Sequence, residues 1–342
     1  MKYNPALDGL RAVAVLLVLV FHARAEGFGG GFLGVDVFFV LSGYLITRLL
    51  ADQHSATGGI DVPAFYLRRL RRLYPALLLL LAVHLVVSPL AFPNRQGHAR
   101  DALIAAAYLS DYGFAFWRVP WVVQHTWSLS VEEHFYLAWP LVLLLVFRLP
   151  RRYWAPTILA LAGTATLWRW NVLFSPGGWH EAYYRFDTRL SGLLLGAAAA
   201  ICNPRAPRLA AAGGAALLVL AVSQADAKVD SALTVWMAVA EAGSLLLVLG
   251  ASQVRPLSWA PLVWLGKLSY GIYLWHYPIM LWLRGQGITG WSSMLIGTVS
   301  AVACAAASYY TVERLARSRR GHAVETAGRG EVGALGRDPS IR

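Results

Sequence analysis

Residues 8–23 read DGLRAVAVLLVLVFHA, a run of Ala, Val and Leu with Arg11 near its start and His22 near its end. Eleven helical residues rise about 16.5 Å and turn about 1100°, only about 20° from three whole turns, so Arg11 and His22 share a face. An ionisable side chain inside a bilayer is costly unless it pairs or lines a polar cavity. The stretch therefore predicts a membrane-crossing helix with polar groups at both depths, and the remaining chain has to supply their partners.

The sequence can afford no water-facing coat. Of its 342 residues, 57% are hydrophobic and 14% charged, against about 25% charged in a soluble domain. Several apolar runs reach the roughly 18–25 residues needed to span a bilayer. The expectation is an all-α, multi-pass membrane protein of about ten transmembrane helices. They fall near 7–25, 32–50, 73–91, 126–147, 154–174, 189–203, 208–224, 231–251, 262–283 and 290–312. The apolar but interrupted stretch 102–117 reads as a re-entrant or surface-lying helix. The first run lacks the basic start, short core and small-residue cleavage site of a removable leader.

The net charge of +12 fits cytoplasmic loops and anionic lipid better than nucleic acid. Arginines concentrate in alternate loops at Arg48, Arg68, Arg69, Arg71, Arg72, Arg148, Arg151, Arg152, Arg205, Arg208 and Arg255. That bias predicts a cytoplasmic face and, with an even number of spans, two cytoplasmic termini. The Gly- and charge-rich stretch 317–342 reads as a disordered tail behind one membrane domain, 1–316. Cys202 and Cys304 have neither disulfide-framework nor zinc spacing, and no metal site is expected.

Depth then groups the polar residues. With the first span running outward, His22 lies near the outer end; Asp36, at the start of the second span, and Glu132, near the start of the fourth, fall at a similar level. A histidine beside a carboxylate makes a general base, and the spacing leaves open whether Asp36 or Glu132 is the neighbour. Singly, His22 also fits an interfacial histidine bonded to a carbonyl, and Arg11 fits a side chain snorkelling to headgroups. The run FYLRRLRRLYP reads either as a lipid anchor or as a phosphate site built from arginine forks. The outer stretch GGWHEAYYRFD carries Trp179, Tyr183 and Tyr184, either an interfacial aromatic belt or a platform for a sugar ring. Polar residues in spans serve transporters too, although no duplicated halves are visible here. A carrier or flippase of a sugar-bearing or anionic substrate, and a ligand-binding sensor, are the rival classes.

These blocks, taken in order, resemble the acyltransferase 3 family of integral-membrane O-acyltransferases. LDGLRAVAVLLVLVFHA matches its Arg-x10-His element, and GVDVFFVLSGYLI the next block, with Asp36, Ser42 and Gly43. RRLRRLYP places paired arginines at Arg69 and Arg72, beside Arg68. WSLSVEEHFYLAWP carries Glu132, and LGKLSYGIYLWHYPI carries Tyr270, Tyr273 and His276. The resemblance implies transfer of an acyl group, commonly acetyl, from cytoplasmic acyl-CoA (acetyl-CoA foremost) to a hydroxyl of an extracytoplasmic or lipid-linked carbohydrate or glycosylated small molecule, in a cell inner or plasma membrane. It implies His22 as base, supported by Asp36 and Glu132. It also implies Arg11, Arg68, Arg69 and Arg72 on the CoA, and Ser42, Tyr270, Tyr273 and His276 as substrate contacts. His134 stands where the family has Gln, and Glu313-Arg314-Leu315 where it has Glu-x-Pro. With no esterase-like domain following, the implied form is a minimal, stand-alone one.

Overall fold

The computed structural model describes residues 3–202, 204 and 206–313. Among them the regular structure is helical. In chain order the α-helices are α1 (Pro5–His22), α2 (Gly34–Thr57), α3 (Val62–Ala91), α4 (His98–Ala106), α5 (Ser110–Trp117), α6 (Trp127–Val146), α7 (Trp154–Leu173), α8 (Gly178–Tyr184), α9 (Leu190–Cys202), α10 (Arg208–Gln224), α11 (Met237–Gly250), α12 (Ala260–Gly285) and α13 (Gly290–Ser308). Each of the ten expected spans has a helix at its centre. Six segments, containing α1, α2, α3, α6, α11 and α13, are long and apolar enough to cross a membrane. The helices α9 and α10 are shorter, at 13 and 17 residues, while α7 and α12 have the length without the same hydropathy. The arginine at Arg205, the Arg314-Leu315 exit and the tail 317–342 lie outside the described residues.

Two boundaries differ from expectation for local reasons. The third span does not begin at 73 but at Val62, because Asp61 caps the helix by accepting from the Ala64 amide and Pro63 sits in the first turn. Arg68–Arg72 therefore belong to the helix itself, not to a loop before it. The stretch 102–117 is not one helix: Tyr108 takes a left-handed conformation (φ 53°) and parts α4 from α5. Upstream, α1 starts where Asn4 caps it through the Ala6 amide with Pro5 in first position, and Gly58 (φ 75°) ends α2.

The site is positioned by helix pairs that approach unusually closely. α1 packs along α12, and α2 along α9. A Cβ on Gly266 would overlap the Asp8 carbonyl oxygen, and one on Gly43 would overlap that of Leu193. Small residues at such crossings let backbones meet where apolar side chains gain little by leaving lipid. Two of the sequence blocks, LDGLR and LGKLSYG, are thus the two faces of one crossing. The chain's described ends meet near it: Tyr3 and Tyr309 line the same cavity.

Candidate active site

The cavity between these helices holds about 380 Å³ and is lined by residues from all five blocks: Arg11, Ser42, Arg69, Arg72, Glu132, Tyr270 and Tyr273 among them. Position in the α3 turn sorts the arginines. Arg69 and Arg72, three apart, share a face and reach this cavity, Arg68 only its outer rim, and Arg71 the opposite side. Arg69 lies over the Tyr136 ring at 4.2 Å, a contact that fixes a planar guanidinium at little entropic cost. Arg11 is held by Asp8 at 2.8 Å, and Tyr3 donates to the other Asp8 oxygen, also at 2.8 Å. Deeper in, Ser42 donates to Glu132 at 2.6 Å. Lys267 adds another cation to the lining; it was passed over within LGKLSYG because one lysine near a helix start carries no pattern.

A second cavity of about 220 Å³ lies at the other end of α1 and is lined by His22, His125, Gln124, Trp127, Trp179, Tyr183 and Tyr184. Val35 and Tyr273 line both cavities. The two therefore run in series along α1, with Tyr273 at their junction. Its hydroxyl donates to the His125 carbonyl at 2.9 Å and lies 2.6 Å from Ser128 Oγ, so the ring is fixed at that boundary.

His22 sits at the end of α1 in a polar cage. Its Nδ1 lies 3.0 Å from the Val18 carbonyl and 3.2 Å from Nε2 of His276. His276, fully buried, has its own Nδ1 2.6 Å from the Tyr273 carbonyl. A carbonyl oxygen only accepts, so both Nδ1 atoms carry the hydrogen. Nε2 of His276 is then an acceptor sharing the His22 proton, and Nε2 of His22 is the lone-pair nitrogen. Arg284 donates to the His22 carbonyl at 2.9 Å, tying the helix end to α12.

This differs from the expected histidine–carboxylate arrangement. Among the described residues no ion pair joins His22 to a carboxylate; carbonyls and a second imidazole orient it. Glu132 lies five residues into α6, about 7.5 Å below its start, and faces Ser42 in the first cavity. The level of His22 is taken by His125, whose Nε2 donates to the Leu274 carbonyl at 3.0 Å. Asp36 is buried and paired with Arg189 at 3.0 Å. Arg189 in turn faces Tyr183 at 4.7 Å and donates to the Met237 sulfur. Nearby, buried Arg169 donates to Ser191, which donates to Glu241. These buried groups join α2, α7, α9 and α11. Charges this deep need partners, and the residues on α7, α9 and α11 were invisible as partners because they are remote in sequence.

The outer aromatics turn inward. Tyr183 is buried, Trp179 stacks on it at 4.7 Å and 13°, and Trp127 approaches Tyr183 and Tyr184 at 4.9 and 5.1 Å. They wall the second cavity instead of facing lipid. His180 fastens α8 to α5: its Nε2 donates to the Phe114 carbonyl at 2.8 Å while Arg118 donates to Nδ1 at 2.6 Å. Burial, then the Arg118 charge, hold its pKa below the usual imidazole value. His134 pairs with Asp111 of α5 at 3.1 Å and so serves the same packing. No group of three or more His, Cys, Asp or Glu side chains placed to hold a metal ion occurs among the described residues.

The chain is similar to known proteins over most of its length. A family model described as an acyltransferase domain, Acyl_transf_3, matches residues 4–310. The chain is 34% identical over 315 residues to the peptidoglycan O-acetyltransferase OatA of Listeria monocytogenes, covering 82% of this chain and 50% of that protein. It is 36% identical over 313 residues to the putative peptidoglycan O-acetyltransferase YrhL of Bacillus subtilis, covering 82% and 49%. Against the O-acetyltransferase OatA of Staphylococcus aureus it is 34% identical over 316 residues, covering 84% and 52%. The chain thus spans about half the length of the curated relatives it matches. No solved structure matches it.

Proposed function

Because the chain belongs to the acyltransferase 3 family, we propose that it is a plasma-membrane O-acyltransferase that moves an acyl group, acetyl foremost, from cytoplasmic acyl-CoA to a hydroxyl of an extracytoplasmic or lipid-linked carbohydrate. One observation carries the reading: two cavities in series along α1, with arginines at one end, an oriented imidazole at the other, and Tyr273 between them.

The donor supplies an acyl group activated as a thioester. Arg69 and Arg72 offer planar forks for the CoA phosphates, with Arg68 and Lys267 adding positive charge at the entrance. About 16.5 Å of helix separates Arg11 from His22, the length over which a slender pantetheine arm reaches from one cavity to the other. Ser42, Tyr270 and Glu132 line its path.

At the far end Nε2 of His22 accepts the proton of the incoming hydroxyl as its oxygen bonds to the acyl carbon. The carbon–sulfur bond breaks, and the proton passes from Nε2 to the departing thiolate. Sharing the Nδ1 proton with the Val18 carbonyl and His276 keeps Nε2 free and stabilises the imidazolium as it forms, the task an aspartate has in hydrolase triads. Asp36 supports this geometry through its pairing with Arg189, which steadies the start of α2.

Purified protein in lipid vesicles with acetyl-labelled acetyl-CoA tests the reading. Label should appear on a glycan acceptor with the wild type and fall at least a hundredfold with His22→Ala, whose thermal midpoint should be kept. Glycan crossing the membrane without label would instead identify a carrier, and full activity in His22→Ala would remove the proposed base.

A further inference from the structure

We infer that the cavity around His22 is the acceptor subsite, and that it takes one uncharged pyranose ring, held by the aromatic wall of α8 with a hydroxyl presented to Nε2 of His22. The inference rests on the acyl-transfer reading above and adds the class of sugar and the residues that select it.

Three observations converge. The first is the lining: Trp127, Trp179, Tyr183 and Tyr184 form one wall, and His22, His125 and Gln124 supply the polar atoms, with no Asp, Glu, Lys or Arg side chain in it among the described residues. Aromatic faces suit the C–H faces of a sugar ring, and a few placed donors and acceptors suit its hydroxyls. A carboxylate or phosphate on the sugar would find no cation in that lining, since Arg189 lies outside it against the Tyr183 and Trp127 rings, paired with Asp36, and Arg284 is engaged by the His22 carbonyl; an ion left unpaired in such a setting is costly. The contrast with the arginine-lined first cavity is sharp, so the two ends of α1 select different chemistry.

The second is an unmet hydrogen-bond donor. The Nε1–H of Trp179 is buried and finds no acceptor among the described residues, and a buried donor left unpaired is destabilising. A sugar hydroxyl or an N-acetyl carbonyl supplies the missing acceptor. The third is size. At about 220 Å³ the cavity lies below the roughly 300–1,000 Å³ typical of sites for drug-sized ligands. It takes one ring of a glycan, and the neighbouring sugars remain outside.

Position makes the wall specific to the acceptor. The α8 helix lies between α7 and α9, is pinned to α5 through His180, and contributes nothing to the arginine-lined cavity. A change at Trp179 should therefore weaken the acceptor without touching the donor.

The test uses the full chain in vesicles, acetyl-CoA, and soluble oligomers of N-acetylglucosamine as the neutral probe. The same oligomers stripped of their N-acetyl groups form the cationic probe. Trp179→Ala should raise KM for the neutral oligomer at least tenfold while KM for acetyl-CoA stays within twofold. Trp179→Phe keeps a ring, loses the N–H, and should raise the acceptor KM severalfold; it also serves if the alanine variant fails to fold. The cationic oligomer should be acetylated at least tenfold less efficiently than the neutral one. Unchanged acceptor KM in both variants, a parallel rise in the donor KM, or equal use of the cationic oligomer would each overturn the inference while leaving the transferase reading intact. Wild-type protein that binds acetyl-CoA yet acetylates no glycan would instead defeat the transferase reading itself.

Discussion

Replacing His276 with Phe removes one acceptor from the shared His22 proton and leaves the rest of the site in place. The structure fixes the size of the effect. His22 Nδ1 has two acceptors, the Val18 carbonyl at 3.0 Å and His276 Nε2 at 3.2 Å, so the variant keeps one. The lost bond is worth about 0.5–1.5 kcal/mol. At 1.36 kcal/mol per tenfold, kcat should fall roughly two- to thirteenfold. Direct loss of the base in His22→Ala forfeits roughly 10²–10⁴. Because His276 acts through His22, the double variant should be no slower than His22→Ala alone, a non-additivity that a merely structural role would not give. His276 does not line the arginine-rich cavity, so KM for the donor should not move. The assay is thiol release from acetyl-CoA in the presence of a glycan acceptor, with thermal midpoints recorded in the same detergent. A His276→Phe variant as inactive as His22→Ala, at unchanged stability, would refute the positioning role and put His276 in the chemistry itself.

Changing Arg69 and Arg72 together to Ala should raise KM for acetyl-CoA about a hundredfold or more, since each charge-assisted bond is worth about 1.5–3 kcal/mol; unchanged CoA affinity by calorimetry would return the run to a lipid anchor. Asp36→Ala leaves Arg189 buried and unpaired, at a cost of about 3–5 kcal/mol. Its melting point should therefore drop and recover in Asp36→Ala/Arg189→Met, whereas an undiminished melting point with transfer abolished would move Asp36 into catalysis. Gly266→Ala has no room against the Asp8 carbonyl and should prevent accumulation of folded protein, which fluorescence-detected size exclusion reads; normal yield would contradict the close crossing. The lowered pKa of His180 means that its neutral form stabilises the α8 attachment above an unfolded value of about 6.5. That contribution is lost as pH falls through 6.5 towards the folded value. The protection of the α8 amides, taken relative to intrinsic exchange at each pH, should accordingly fall below pH 6.5 more in wild type than in His180→Gln, and equal profiles would exclude the His180 fastening.

Composition and apolar run length settled the fold class, because a bilayer forces every backbone polar group into a helix and every crossing into about twenty residues. The same periodicity put Arg11 and His22 on one face, since helical geometry is local, whereas Arg69 and Arg72 part from Arg71 only once all of them lie on α3. Registration between helices was beyond it. Asp36, Glu132 and His22 fall at similar depths when each span is counted from its end, yet side-chain direction sends Asp36 to Arg189 and Glu132 to Ser42. The partners that orient His22, a carbonyl one turn below and an imidazole 254 residues away, meet only because Gly266 lets α1 and α12 close. Likewise, whether Trp179 and its neighbours face lipid or line a cavity depends on the fold of α8 against α5. Local sequence dictates which groups can sit in the membrane; only the packing of helices decides which of them meet.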